Sequence, residues 1–262
     1  MRSVKGYIER NTMLYKTGVE YGDYTMNHVL GCSHGCKYPC YAYLMKKRFG
    51  IVASYDDWIE PYLVSNTLSI LDREIPQLKS KIKSVHLCFT TDPFMYGYDE
   101  IAQMSLASIE KLNEAGIKCT MLTKGLLPQE LTGFSDENEY GITLISLDEN
   151  YRELVEPGAA IYQDRVAALR YLHEQGCRTW VSIEPYPTPN LIEQDLFNVL
   201  DTVEFVDKII FGRANYNKDI SAYKNHHSFY NEQAMLAIEF CEEREIDYHI
   251  KKGTLTGSVV FA

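Results

Sequence analysis

Three cysteines lie close together in the stretch GCSHGCKYPCYAY, at positions 31–43. Cys32, Cys36 and Cys40 follow the spacing Cys-x3-Cys-x3-Cys, and no fourth cysteine follows nearby. Cysteine thiolates are the protein ligands that zinc and iron–sulfur clusters prefer. The spacing therefore suggests a metal site in a loop that glycines flank on one side.

The residues leave three interpretations of this trio open. Buried free cysteines can simply pack as small hydrophobic side chains, although three at this spacing in a polar loop would be an unusual coincidence. Structural zinc takes four ligands, so His28 or His34 would have to complete the set. A [4Fe–4S] cluster normally takes four thiolates. Three thiolates would leave one iron open to bind a small molecule, so the lack of a fourth cysteine would itself have a function.

The bulk composition limits the class of protein. The N-terminal stretch MRSVKGYIERNTML has no apolar core, and no run approaches 18 apolar residues, so we expect neither a signal peptide nor a membrane span. An odd count of seven cysteines favours a reducing compartment, and we expect a cytoplasmic protein. The net charge of −10 argues against a duplex nucleic acid as the partner.

Apolar, β-rich runs alternate with helical patterns through most of the chain. Short, continuously apolar runs are typical of parallel strands that are buried on both faces. The predicted strands are residues 24–31, 84–91, 118–125, 141–147, 178–185 and 206–213. The predicted helices are residues 65–80, 99–115, 161–175, 191–202 and 231–245.

Six strands that alternate with helices predict an α/β fold with a parallel sheet. A partial (β/α)6 TIM-like barrel and a doubly wound sheet both fit the pattern. Polar residues stand at most of the predicted carboxyl ends, and in a barrel all of those ends converge on one site. In a doubly wound sheet only the ends at the switch point converge, so we favour the barrel. The sequence contains no recognisable linker, so we expect one domain over residues 1–262. Within it, residues 214–262 are expected to form a C-terminal helical capping segment.

Several short sequence motifs together resemble those of a known family. GCSHGCKYPCYA, TTDPF, LTKGLL, ISLDENYRELVEPGAA and VSIEPYPTPNL run in order from residue 31 to about residue 190. They are similar to the motifs of the radical S-adenosylmethionine (radical SAM) superfamily, in its spore photoproduct lyase-like branch. One departure stands out, because that superfamily usually spaces its cysteines Cys-x3-Cys-x2-Cys and Pro39 lengthens the last interval here.

The resemblance implies a radical SAM enzyme of the lyase or transferase type with an unidentified substrate. It implies a [4Fe–4S] cluster on Cys32, Cys36 and Cys40 and S-adenosylmethionine (SAM) on the open iron. Reductive cleavage of SAM would give a 5′-deoxyadenosyl radical that abstracts hydrogen from a small molecule, a peptide or a nucleic acid. It also implies a low-potential electron donor such as flavodoxin or ferredoxin. The alternative from another class is a zinc-binding structural or interaction protein.

The same resemblance implies the residues that bind SAM. Lys124 is expected to pair with the SAM carboxylate, and His34 is expected not to be a ligand. Three of the expected contacts have alternative roles. Asp92 could form a plain turn with Pro93, and Glu184 could bond to a backbone amide. Arg213 could instead contact the substrate or form a structural ion pair. The full set of expected SAM contacts is Tyr38, Pro39, Thr90, Thr91, Asp92, Lys124, Ser146, Glu184 and Arg213.

Several remaining residues receive simpler roles. Tyr41 and Tyr43 follow the last cysteine and are expected to pack against the cluster. The single cysteines at positions 88, 119, 177 and 241 are expected in the core. Two charged pairs, His226–His227 and Lys251–Lys252, are expected on a solvated surface, with an anionic substrate as the alternative.

Overall fold

The computed structural model describes residues 2–215 and 217–256. The strands of this part of the chain are β1 (Gly6–Ile8), β2 (Tyr15–Lys16), β3 (Tyr24–Met26), β4 (Val29–Leu30), β5 (Tyr62–Val64), β6 (Ser84–Leu87), β7 (Lys118–Thr123), β8 (Glu139–Thr143), β9 (Arg178–Tyr186), β10 (Lys208–Arg213) and β11 (Asp247–Ile250).

The α-helices connect these strands and cover the sheet. They are α1 (Tyr41–Arg48), α2 (Tyr55–Trp58), α3 (Thr67–Leu78), α4 (Asp99–Glu114), α5 (Glu149–Val155), α6 (Tyr162–Glu174), α7 (Leu196–Thr202), α8 (Lys218–Ala222) and α9 (His226–Glu243). Two 3-10 helices cover Lys79–Lys81 and Gln129–Gly133. All five predicted helices are confirmed, although α7 is shorter than predicted and α9 begins earlier.

One large sheet runs in the order β11-β10-β9-β8-β7-β6-β3-β2. Every neighbouring pair is parallel except β2 and β3, which are antiparallel. The six predicted strands correspond to β3, β6, β7, β8, β9 and β10, and they lie side by side in chain order. In a doubly wound sheet the order of the strands would reverse at a switch point. The unbroken order is that of a partial barrel, which confirms the predicted fold class.

Two parts of the architecture were not predicted. The C-terminal segment adds a strand as well as helices, because β11 pairs in parallel with β10 at the edge of the large sheet. A second sheet, in the order β1-β5-β4, is formed by strands that lie within residues 6–64. Its strands have two or three residues each, too few to show a period of two in the sequence.

Helix α4 shows how the sequence produces each repeating unit. Ile101, Ile109 and Leu112 are fully buried on one side of the helix, at the spacing of an amphipathic pattern. Gly116 ends the unit with a φ of +76°, a left-handed conformation that glycine adopts without steric cost. The chain then enters β7, so the helix, the glycine and the strand form one βα repeat. No helix in the described ranges has the length and apolar character needed to cross a bilayer.

Candidate functional site

The cysteine loop is tied to its surroundings mainly through its backbone. The amide of Cys32 donates to the carbonyl of Trp58 at 2.8 Å, and the amide of Lys37 donates to the carbonyl of Val155 at 2.8 Å. The hydroxyl of Tyr55 donates to the carbonyl of Cys36 at 3.0 Å. These bonds fix the path of the loop independently of any metal.

Gly158 lies directly beneath the loop. Its amide donates to the carbonyl of His34 at 3.0 Å. A Cβ atom at this position would lie 2.1 Å from the carbonyl oxygen of Ser33 and 3.1 Å from the Cα of His34. No side chain larger than hydrogen fits here without moving the loop. The EPGAA segment, residues 156–160, therefore packs against the cysteine loop and supports it.

The three thiols line one cavity of about 560 Å³ at the carboxyl ends of the barrel strands. Cys32, Cys36 and Cys40 are all half-buried. Burial raises the pKa of the Cys36 thiol to about 12, with Lys124 opposing the shift. Burial and the neighbouring Cys36 raise the pKa of Cys32. Thiols whose pKa is raised in this way are stabilised as thiolates by a nearby cation, and a metal cluster would provide that charge.

This donor set fits an iron–sulfur cluster better than a single metal ion. Within residues 2–215 and 217–256, no group of three or more His, Cys, Asp or Glu side chains is arranged to hold one ion. In a cubane each thiolate binds a different iron, so the sulfurs need not converge on one point. The zinc alternative receives no support from the described part of the chain.

His34 has partners on both ring nitrogens. Its Nε2 accepts from the amide of Tyr96 at 3.1 Å, and its Nδ1 lies 3.4 Å from Oδ2 of Asp92. Burial lowers the pKa of His34 to about 4, although Asp92 opposes the shift. The imidazole is therefore neutral at pH 7 and holds the loop through these two contacts, and its absence from the metal ligands stays a prediction.

Asp92 connects two strand ends. The buried carboxylate accepts from the Thr123 hydroxyl at 2.6 Å, from the Lys124 amide at 2.8 Å and from the Phe94 amide at 2.9 Å. The neighbouring Thr90 donates through its amide and its hydroxyl to Oδ1 of Asn27. Asp92 therefore positions the polypeptide around Lys124, and its oxygens are largely occupied.

Lys124 belongs to a buried network that the sequence did not indicate. Its Nζ lies 2.9 Å from Oε1 of Glu156, a carboxylate with no solvent exposure. Arg165 contacts the other oxygen of Glu156 at 2.9 Å, and the Tyr38 hydroxyl donates to Oε1 at 2.7 Å. Burial alone raises the pKa of Glu156, but the charges of Lys124 and Arg165 outweigh it and lower the value to about 2.

The end of the cavity near β9, β10 and β11 carries several charges. Lys251 lies 3.7 Å from Glu184 and 3.8 Å from Glu20. Burial raises the pKa of Glu184, with Lys251 opposing the shift. The Nε of Arg213 is buried and has no hydrogen-bond partner among the described residues. Glu20 also contacts His249 at 3.0 Å, so the β2–β3 connection meets the opposite edge of the sheet.

The structure brings eight of the nine predicted SAM contacts to this cavity. Ser146 is the exception, because it lines a separate cavity and its hydroxyl accepts from the amide of Asp148 at 3.1 Å. Strand β8 ends at Thr143, and it is Thr143 that lines the cysteine cavity. The remaining predicted contacts on its wall are Tyr38, Pro39, Thr90, Thr91, Asp92, Lys124, Glu184 and Arg213.

Other residues of this cavity had simpler predicted roles. Lys251 and Lys252 line it, whereas His226 and His227 begin α9 away from it. Cys88 is buried as predicted but also contributes to the wall, and its Sγ lies 3.5 Å from Nδ1 of His28. Cys119 and Cys241 are buried, and Cys177 is partly exposed. Tyr41 lines the cavity and donates to the carbonyl of Phe89 at 2.7 Å.

Comparison with known proteins supports the interpretation of this site. The family model described as the Radical SAM superfamily matches residues 26–203. An uncharacterized protein of Acidianus two-tailed virus is 25% identical over 195 residues, covering 71% of this chain and 64% of its own length. An uncharacterized protein of Methanocaldococcus jannaschii is 28% identical over 173 residues, covering 65% and 62%. The match thus spans less than two thirds of either relative.

Solved structures share the fold. Spore photoproduct lyase in complex with dinucleoside spore photoproduct superimposes with a TM-score of 0.68 at 15% identity, covering 93% of this chain and 80% of that one. Streptococcus suis SuiB bound to S-adenosylmethionine gives a TM-score of 0.53 at 14% identity, covering 73% and 45%. Both likenesses concern the architecture of the chain.

Proposed function

The chain belongs to the radical SAM superfamily, and on that premise we propose that it is an enzyme that cleaves S-adenosylmethionine reductively. The observation that carries this proposal is the convergence of Cys32, Cys36 and Cys40 on one cavity beside Lys124. Members of this superfamily use a [4Fe–4S] cluster and SAM as cofactors. When bound, these cofactors supply a 5′-deoxyadenosyl radical, and the protein positions and shields them.

Lys124 holds the carboxylate of SAM in this proposal. One of its three N–H donors is directed to Glu156, and among the described residues the ammonium forms no other ion pair or hydrogen bond, which leaves two donors for a ligand in the cavity. Arg165 and Tyr38 hold Glu156 in turn, so the ammonium stands in a fixed position before the ligand arrives. Such preorganisation reduces the ordering cost of binding.

The polar groups that follow β6 complete the cofactor site. Thr90 and Thr91 line the cavity, and we assign them to the amino group of SAM. Asp92 acts as a positioning residue, because its oxygens hold the amide of Lys124 and the hydroxyl of Thr123. Tyr38 and Pro39 stand in the cysteine loop and are assigned to the adenine side of the cofactor.

The substrate binds at the end of the cavity where Arg213 and Glu184 stand. The buried Nε of Arg213 lacks a partner among the described residues, and burial of a guanidinium N–H without a hydrogen bond is costly. An acidic group of the substrate would satisfy this donor. Glu184 stands on the same wall with a raised pKa and is suited to a hydroxyl of the cofactor or the substrate.

Anaerobic reconstitution with iron and sulfide tests this function. We expect about four irons per chain, a brown chromophore, and 5′-deoxyadenosine on addition of SAM and dithionite. One tightly bound zinc with no colour and no cleavage of SAM would instead support a structural zinc protein. Product analysis after incubation with candidate substrates then separates lyase from transferase chemistry.

A further inference from the structure

A small basic and apolar surface lies at the C-terminal end of α1, the helix that follows the cysteine loop. It consists of Lys47 and Arg48 in the last turn of α1, together with Leu44, Phe49 and Ile51, and all five side chains are exposed. Phe49 is 70% exposed, Ile51 is 49% exposed and Leu44 is 41% exposed. We call these five residues the α1 patch.

The backbone of the α1 patch is well defined. The amide of Gly50 donates to the carbonyl of Lys47 at 3.0 Å, and the amide of Ile51 donates to the carbonyl of Lys46 at 2.9 Å. Gly50 has a φ of +66°. Together these features form a Schellman motif, which ends the helix and fixes the direction of the chain after it. Phe49 and Ile51 are therefore presented on a rigid turn.

The cations of the α1 patch lack acidic partners. In the described ranges neither Lys47 nor Arg48 lies within 4.0 Å of a carboxylate, whereas several other surface cations, such as Lys111 and Lys118, form ion pairs. Lysine and arginine in a last turn also complement the helix dipole. That effect does not account for the exposure of Leu44, Phe49 and Ile51 beside these cations, on a chain whose net charge is −10.

The α1 patch is close to the cysteines. Cys40 is the N-cap of α1, so about nine residues of helical rise, or roughly 13 Å, separate it from Phe49. Beneath the helix, Ala42 packs in one hydrophobic cluster with Trp58, and Cys32 and Cys40 pack against the same cluster. Few layers of side chain therefore separate a protein docked on the α1 patch from the cluster ligands.

We infer that the α1 patch is the docking site of an acidic one-electron carrier protein that reduces the cluster. The inference rests on the proposed function. In the step, the carrier loses one electron and the cluster gains it, and no atom crosses the interface. Electron-transfer partners use small interfaces, and opposite charges steer their encounter. A basic rim around an exposed apolar centre matches a carrier with an acidic rim around its redox group.

The test compares two double variants that change the net charge equally. Lys47→Glu/Arg48→Glu reverses two charges of the α1 patch, and Lys79→Glu/Lys81→Glu reverses two exposed charges in the 3-10 helix after α3. Binding of a purified bacterial flavodoxin is measured by titration at low and high salt. The rate of cluster reduction is then followed with reduced flavodoxin and, separately, with dithionite.

We expect the α1 variant to bind flavodoxin about tenfold more weakly than the wild type at low salt, with the difference shrinking at high salt. Its reduction by flavodoxin should slow in parallel, while reduction by dithionite stays unchanged. The control variant should match the wild type. Equal binding by both variants, or no salt-sensitive binding by the wild type, overturns the docking site.

The two proposals fail in different ways. If dithionite produces no cleavage of SAM in the reconstituted wild type, the proposed function is wrong. If dithionite supports cleavage but the α1 variant accepts electrons from flavodoxin normally, only the docking site is wrong. Binding to vesicles of phosphatidylglycerol in place of flavodoxin would identify the α1 patch as a membrane contact and overturn the inference as well.

Discussion

The ammonium of Lys124 lies 2.9 Å from the carboxylate of Glu156, and Glu156 has no exposure to solvent. A carboxylate at that depth is stable as an ion only because Arg165 and Tyr38 also contact it. The pair joins the strand end at β7 to the segment that supports the cysteine loop. Lys124 is therefore part of the scaffold of the site as well as a candidate ligand of SAM.

Replacing Glu156 with Gln should destabilise the protein strongly. Gln is nearly isosteric, but it leaves the Arg165 and Lys124 charges without their counter-ion in a buried position. Loss of one partner of a buried ion pair typically costs about 3–5 kcal/mol. Urea titration measures this loss in the free energy of unfolding. Glu139→Gln, in the half-exposed pair with Lys118, is the control and should cost at most about 1 kcal/mol.

The pH dependence of stability should show the same network. The folded-state pKa of Glu156 is lowered to about 2, below its usual value, so its ionised form stabilises the folded state. That contribution is complete above pH 5 and is lost as the pH falls towards 2. Unfolding titrations from pH 6 to pH 2.5 should therefore show a steeper loss for the wild type than for Glu156→Gln. Parallel curves would contradict the assignment.

The positions of the main strands could be predicted because parallel, doubly buried strands give continuous apolar runs. The polar residues at their ends then indicate the site, as Thr90 and Lys124 illustrate. Ser146 shows where this reasoning stops. Strand β8 ends three residues earlier, at Thr143, so Ser146 lies in the irregular segment after the strand. The predicted strand was too long, so Ser146 was expected at the strand end, whereas it lines a separate cavity.

Glu156 was missed for a different physical reason. A glutamate just after a short helix resembles a solvated surface residue, because acidic side chains are rarely fully buried. Its partners Lys124, Arg165 and Tyr38 are far from it in sequence or separated by turns, so no spacing reveals the network. The proline and glycine after it were the available signal, since they indicate a constrained backbone.

Gly158→Ala should displace the cysteine loop. The added Cβ would lie 2.1 Å from the carbonyl oxygen of Ser33, and overpacking of this kind typically costs about 1–3 kcal/mol. We expect a lower free energy of unfolding in urea and a reduced iron content after reconstitution. Gly133→Ala is the control, because a Cβ there meets nothing within 4 Å. Equal behaviour of the two variants would mean that the EPGAA segment does not support the loop.

Substituting any one of Cys32, Cys36 and Cys40 with Ala should abolish the iron-dependent absorbance. Each thiolate is expected to bind one iron, and two thiolates are too few to retain the cluster. Iron analysis and the visible spectrum measure the loss. His34→Ala is the matched control within the same loop and should keep most of its iron, because both ring nitrogens already have protein partners. A full cluster in all three cysteine variants would disprove the assignment.

Lys124→Ala should weaken SAM binding while leaving the cluster in place. A charge-assisted contact to a carboxylate contributes about 1.5–3 kcal/mol, which corresponds to roughly one to two decades in affinity. Glu156 keeps Arg165 and Tyr38 as partners in this variant, so the loop should still fold. The measurement is a SAM titration of the reduced cluster, followed by the change in its magnetic resonance signal.

Two further variants define the role of this lysine. Lys118→Ala, at the start of the strand that precedes Lys124 and half-exposed in a pair with Glu139, should bind SAM as the wild type does. Lys124→Arg should restore only part of the affinity, because a planar guanidinium approaches both Glu156 and a carboxylate ligand differently from an ammonium. If Lys124→Ala gave an unchanged midpoint with full iron content, Lys124 would serve only to neutralise Glu156. The carboxylate of SAM would then need another cation of the cavity, and Arg213 is the candidate whose Nε has no partner in the described ranges.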